Sequence, residues 1–164
     1  MSKIIFFDID GTLHYSGIGI PQSAVKAVNQ LIANGHKAVM CTGRSKGMMP
    51  EEYFHMGFHG MILGAGAYVE YEGKVIHREL MTKQEVQTVI DWGKKQKIGI
   101  ILEGEQHGYY DPDNHDDYYV AMKNKTEVDC ETTLYPISEA VDVAKWTYHH
   151  MDLDLKPEIE EILG

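Results

Sequence analysis

The chain has 164 residues, 43% hydrophobic and 24% charged, with 25 acidic against 15 basic side chains and a formal net charge of -10. That excess repels phosphate backbones and argues against nucleic acid as a partner. No apolar run approaches the ~20 residues of a membrane span, so no membrane partner is expected.

Asp8 and Asp10 interrupt the only apolar stretch of residues 1–20, which argues against a secretory leader. Cys41 and Cys130 lie far apart and match no zinc or redox spacing. The expectation is a cytoplasmic globular protein of one domain, or of two small ones.

In chain order, Lys3-Ile4-Ile5-Phe6-Phe7 is continuously apolar, the pattern of a strand covered on both faces in a parallel sheet. Pro21 opens a helix whose Ala24, Val25, Val28, Leu31 and Ile32 share one stripe, and Gly35 ends it. Lys37 to Cys41 predicts a second strand, Ser45 to His55 a helix interrupted by Pro50, and Met61 to Leu63 a third strand. Strand, helix, strand, helix, strand implies right-handed crossovers and a parallel, Rossmann-like sheet.

After Gly64, Ala67–Tyr71 and Lys74–Arg78 predict a hairpin through Glu72-Gly73. Thr82 and Glu85 form a capping box ahead of a helix carrying Val86, Val89 and Ile90. A strand is predicted over Ile98–Leu102, an irregular acidic stretch from Gly104 to Tyr119, a strand over Val143–Tyr148 and a final helix from Pro157. The expected class is α/β, with a parallel-sheet unit over residues 1–80 and a smaller α/β module over residues 81–164.

The chemistry concentrates in Asp8-Ile9-Asp10-Gly11-Thr12, at the carboxyl end of the first predicted strand. Ligands of open α/β sheets bind outside that end of the strands. Residues two apart on an extended chain point to one side, so both carboxylates can address one site. Such a pair suits a hard cation such as magnesium, or a division of labour between nucleophile and proton carrier. Gly11 permits a sharp turn, and Thr12 offers a hydroxyl and an amide. The plainer reading is an Asp-Gly turn with Asx capping. A second element follows the second strand: in Thr42-Gly43-Arg44 a hydroxyl, a close approach and a guanidinium could all serve an anion.

Together, the run from Phe6 to Leu13 and the Thr42-Gly43-Arg44 turn resemble the first two signatures of the haloacid dehalogenase superfamily. The hairpin and the module beyond it resemble the Cof-like branch with its type IIB cap. The resemblance implies a magnesium-dependent phosphatase in which Asp8 is the nucleophile and Asp10 the general acid/base. It also implies Asp8 and Asp10 as magnesium ligands, with Gly11, Thr12, Thr42, Gly43 and Arg44 around the phosphate. The substrate it implies is a small phosphorylated metabolite such as a sugar phosphate.

The departures are equally specific. There is no Gly-Asp dipeptide for the fourth signature, and Lys123, Lys125, Lys145 and Lys156 all fall within the expected cap. Ala65-Gly66 stands where the branch has Asn-Gly. The chain is therefore expected to stop partway through the cap. Alternatives to an active enzyme are a non-catalytic remnant and, ranked last, a phosphoacceptor signalling domain. The missing half of the sheet would leave the first strand as an edge, and homo-oligomerisation through it is expected.

Overall fold

A computed structural model describes residues 1–149 and Glu161; apart from Glu161, the helix expected from Pro157 lies outside the described residues. The first sheet runs β1 (Ile4–Phe7), β2 (Lys37–Cys41), β3 (Gly60–Leu63), β4 (Tyr68–Tyr71) and β5 (Lys74–Arg78), adjacent in that order. β1, β2 and β3 are mutually parallel, with Ile4 opposite Lys37 and Met40 opposite Met61. The β4–β5 hairpin turns the sheet antiparallel.

Helix α1 (Gln22–Ala33) makes the crossover from β1 to β2. Pro21 precedes it at φ -60, and Gly35 at φ +81 ends it, its amide donating to the Ile32 carbonyl. The stripe predicted for this helix is the buried one: Val28 is enclosed, with Ala24, Leu31 and Ile32 packed beside it over Met40 and Leu63. Each large side chain so enclosed contributes about 1.5–3 kcal/mol.

Two predictions fail in this half. Ser45–His55 is not an α-helix but two 3₁₀ turns, Lys46–Met48 and Glu51–His55. Pro50 is the cause, since a residue before proline is driven out of the helical region, and Met49 sits at φ -109, ψ 133. β1 is not covered on both faces either. Ile4 and Phe6 are 56% and 59% exposed, and β2 is its partner in the sheet of described residues.

The second sheet follows helix α2 (Lys83–Gln96), whose predicted capping box is formed. The Glu85 amide donates to Thr82 Oγ1 at 3.2 Å, and the Thr82 amide to Glu85 Oε2 at 2.6 Å. The strands are β6 (Gly99–Gly104), β7 (Gly108–Tyr110), β8 (Leu134–Pro136) and β9 (Val143–His149), in the order β8-β7-β6-β9. Val89 and Trp92 of α2 pack on Ile100, Leu102 and Val143.

The stretch expected to be irregular contains β7, and helix α3 (Asp117–Asp129) emerges from its end. Helix α3 lacks an apolar stripe and buries only Tyr119, so periodicity could not reveal it. What fixes it is Asp116, whose Oδ1 accepts the Tyr119 amide at 3.0 Å. Tyr119 also lies against Gly99, where any Cβ would strike its ring.

Candidate active site

Beyond β1 the chain folds into a tight turn. The amides of Thr12, Leu13 and His14 all donate to the Ile9 carbonyl, and that of Gly11 to His14. Gly11 takes φ +75, which disfavours a side chain there. Ile9 is fully buried, so the residues on either side of it, Asp8 and Asp10, are turned outward. Thr12 Oγ1 donates to Asp8 Oδ2 at 3.2 Å. The turn's own amides leave the Asp10 carbonyl untouched.

Beyond β2, the parallel pairing that places Phe7 opposite Met40 brings the second turn beside the first. Thr42 is 4% exposed, and its Oγ1 accepts the Arg44 amide at 3.2 Å. The Arg44 guanidinium grips Asp10 with both ends of its fork, Nε to Oδ2 at 2.9 Å and Nη2 to Oδ1 at 2.5 Å. Two of the guanidinium nitrogens are therefore engaged by Asp10. The third, Nη1, is buried and has no hydrogen-bond partner among the described residues. Burial opposes the Arg44 charge, but the bond to Asp10 and neighbouring acidic groups outweigh it and hold its pKa above the ordinary value.

The second sheet closes over these turns. Ser45 Oγ donates to the Gly104 carbonyl at 2.9 Å, and the Ser45 amide to Glu103 Oε2 at 3.3 Å. Gly47 lies flat against the β6–β7 turn, where a Cβ would overlap the His107 amide. Lys145 links the two sheets. Although it belongs to the second sheet, its Nζ reaches the first, donating to the Gly43 carbonyl at 2.8 Å and lying 3.0 Å from Glu103 Oε1. A cleft of about 300 Å³ lies between the layers, lined among others by Asp10, Arg44, Glu103, Thr126, Asp129 and Lys145.

The chain's family follows from the whole length rather than from the turns alone. The profile of haloacid dehalogenase-like hydrolases matches residues 5–162. The chain belongs to the haloacid dehalogenase-like hydrolase family. It is 30% identical over 104 residues to YkrA of Bacillus subtilis strain 168, a candidate phosphatase; the match covers 63% of this chain and 40% of YkrA. A hypothetical protein of Geobacillus kaustophilus HTA426 superposes with a TM-score of 0.74 at 22% identity, over 98% of this chain and 62% of that one. The subclass IIB sugar phosphatase BT4131 superposes with a TM-score of 0.70 at 23% identity, over 99% of this chain and 62% of that one. At those identities the likeness is one of fold. The chain thus spans about 40% of the curated relative and about three fifths of these structures.

Within this haloacid dehalogenase-like frame, Asp8, Asp10, Gly11 and Thr12 occupy one turn, and Thr42, Gly43 and Arg44 the adjacent one. The Asp8 carboxylate and the Asp10 carbonyl are hard oxygen donors, and magnesium is commonly held by one or two carboxylates with several waters. The donor chemistry therefore fits magnesium, although no cluster of three or more His, Cys, Asp or Glu side chains occurs among the described residues.

Polar side chains away from the two turns have structural tasks. Asp111 Oδ1 accepts the Asp113 amide, Asp116 caps α3, and His59 Nδ1 accepts the Ala38 amide. Sequence reasoning overlooked Ser45, Glu103 and His14. His14 is 3% exposed with Nδ1 2.5 Å from the Tyr53 hydroxyl, whose pKa burial and then Glu131 push up to about 12. Only the hydroxyl and acid at positions 45 and 103 could have hinted at a contact, and nothing in the sequence links them.

Proposed function

We propose that this chain carries the nucleophile half of a magnesium-dependent phosphatase site, acting on small phosphate monoesters through an aspartyl-phosphate. The observation that carries the reading is the pair of outward carboxylates flanking Ile9, with Asp10 held in a two-point grip by Arg44.

In the proposed reaction Asp8 attacks phosphorus in line, forming the Asp8 O–P bond as the ester O–P bond breaks. The departing alkoxide takes a proton from Asp10. Water then attacks the phosphoryl group, giving its proton to Asp10 and releasing phosphate and free Asp8. Each Asp10 oxygen accepts one bond from Arg44 and keeps a second lone pair for this proton. Magnesium, when held by the Asp8 carboxylate and the Asp10 carbonyl, supplies charge neutralisation at the phosphoryl oxygens. Thr42 and the surrounding amides orient the phosphate, and the second sheet serves as the cap.

A small phosphorylated metabolite is the substrate class in keeping with the cleft's size, and a sugar phosphate with the likeness to BT4131. The free thiols of Cys41 and Cys130 suit a cytoplasmic setting. No helix among the described residues is long and apolar enough to cross a membrane.

The test is covalent labelling. Incubation with acetyl phosphate and magnesium should place a hydroxylamine-sensitive phosphoryl group on Asp8, absent without magnesium and absent in Asp8→Asn. Label elsewhere, or none, refutes the assignment. Steady turnover of p-nitrophenyl phosphate by these 164 residues alone should be very slow. Loss of one positioned electrostatic group costs ~10²–10³ in rate; the described residues hold no cluster of three or more carboxylates at the site, and the lysine lining the cleft, Lys145, comes from the second sheet.

A further inference from the structure

The cleft's roof contains one charged group whose bonding is incomplete. Lys145 stands on β9, and its side chain remains 31% exposed. An ammonium carries three donors. One is donated to the Gly43 carbonyl, 2.8 Å away, and the ammonium forms an ion pair with Glu103 Oε1 at 3.0 Å. Gly43 leaves donor capacity on Nζ, and the side chain lines the cleft beside Asp10 and Arg44.

Glu103 is arranged to hold that ammonium still. Its side chain is only 9% exposed, and Oε1 also accepts the Thr147 hydroxyl at 2.8 Å, while Oε2 accepts the Ser45 amide at 3.3 Å. A carboxylate held by the Thr147 hydroxyl and the Ser45 amide, from two separate parts of the chain, cannot swing to follow the lysine. Lys145 is thus fixed from the second sheet while touching the phosphate turn of the first.

We propose that Lys145 is a specificity-determining residue, reading the leaving group of the phosphate ester through an N–H not given to Gly43, and that Glu103 is its positioning residue. This rests on the phosphatase reading above and deepens it. The charge of the cleft indicates what is read. Each carboxylate at the cleft has its own cation: Asp10 is paired with Arg44, Glu103 with Lys145 and Asp129 with Lys125. A second phosphate on the leaving group would find each of these cations already matched, whereas a neutral polyol offers hydroxyl oxygens to Lys145 and hydroxyl protons to Asp129 and Thr126.

The experiment is calorimetric titration of the full 164-residue chain, in magnesium, with inorganic phosphate and with glucose 6-phosphate. Wild type should bind the hexose phosphate more tightly than phosphate. Lys145→Met, which keeps an unbranched stem of similar length, should weaken glucose 6-phosphate roughly tenfold or more, the size of one hydrogen bond to a charged group. Its affinity for inorganic phosphate should stay within about twofold, which also shows that the variant is folded. Lys145→Arg should retain most of the preference, and Glu103→Gln should lose part of it.

Equal weakening of both ligands by Lys145→Met would make Lys145 a phosphate anchor or a strut between layers and overturn the proposal. So would no change in either. If wild type binds inorganic phosphate, with the loss expected in Thr42→Ala, yet shows no preference for the hexose phosphate, the phosphatase reading stands and this one falls. Failure of wild type to bind phosphate at all overturns both.

Discussion

Gly47→Ala is the most direct probe of how the two layers meet. An added Cβ would lie 2.5 Å from the Gln106 carbonyl carbon and 2.8 Å from the Gly104 oxygen, and closer still to the His107 amide. These are backbone atoms, so no side chain can swing aside. Ordinary carbon contacts lie near 3.5–4.0 Å, so the β6–β7 turn must retreat by roughly 1 Å. The Ser45–Gly104 bond at 2.9 Å and the Lys145–Gly43 bond at 2.8 Å would then exceed hydrogen-bonding range. Two or three such bonds, at about 1 kcal/mol each, put the cost of separating the layers near 2–3 kcal/mol. Hydrogen exchange at the Ser45 amide, together with urea unfolding, reads both the local and the global effect. Protection of Ser45 should fall by about 30-fold or more, with a smaller shift in the unfolding midpoint. A variant with wild-type protection at Ser45 would show that the layers are not held together there.

Asp10→Ala leaves the buried Arg44 guanidinium without the carboxylate it grips, and should lower stability by about 1–3 kcal/mol in urea unfolding; an unchanged midpoint would mean that the pair contributes nothing. The exposed Ile4 and Phe6 on β1, an edge among the described strands, should make the isolated 164-residue chain self-associate, and Phe6→Lys should release it. A wild-type mass of 18.6 kDa by light scattering contradicts this. Burial pushes the Cys130 thiol up to about 11 from 9.0. The folded state therefore binds this proton more tightly than the unfolded chain. The resulting stability is complete below pH 9 and is lost as pH rises through about 11. Unfolding midpoints between pH 8 and pH 11 should fall less steeply in Cys130→Ala than in wild type, and parallel curves would exclude the thiol.

Local signals fixed most of the first half of the molecule. Pro21, the Val28 stripe and Gly35 set the bounds of α1, and the Thr82–Glu85 box set the start of α2, because each satisfies backbone groups within a few residues of itself. Asp8, Asp10 and Thr42 could be placed together from the sequence because each follows a strand of a parallel sheet, whose strand ends carry ligands in this class of fold. The segment after Arg44 was misread because Pro50 broke into 3₁₀ turns what the pattern suggested was a helix. Helix α3 was invisible because it buries a single tyrosine.

Tertiary structure alone decided the rest. Arg44 meets Asp10 only because β1 and β2 pair in parallel with Phe7 opposite Met40. Lys145 meets Gly43, 102 positions earlier in the chain, only because β9 pairs with β6 and the β6–β7 turn lies on Gly47. A charge at a given position carries no local periodicity, so its partner is set by how sheets register and stack, and that information is spread over the whole chain.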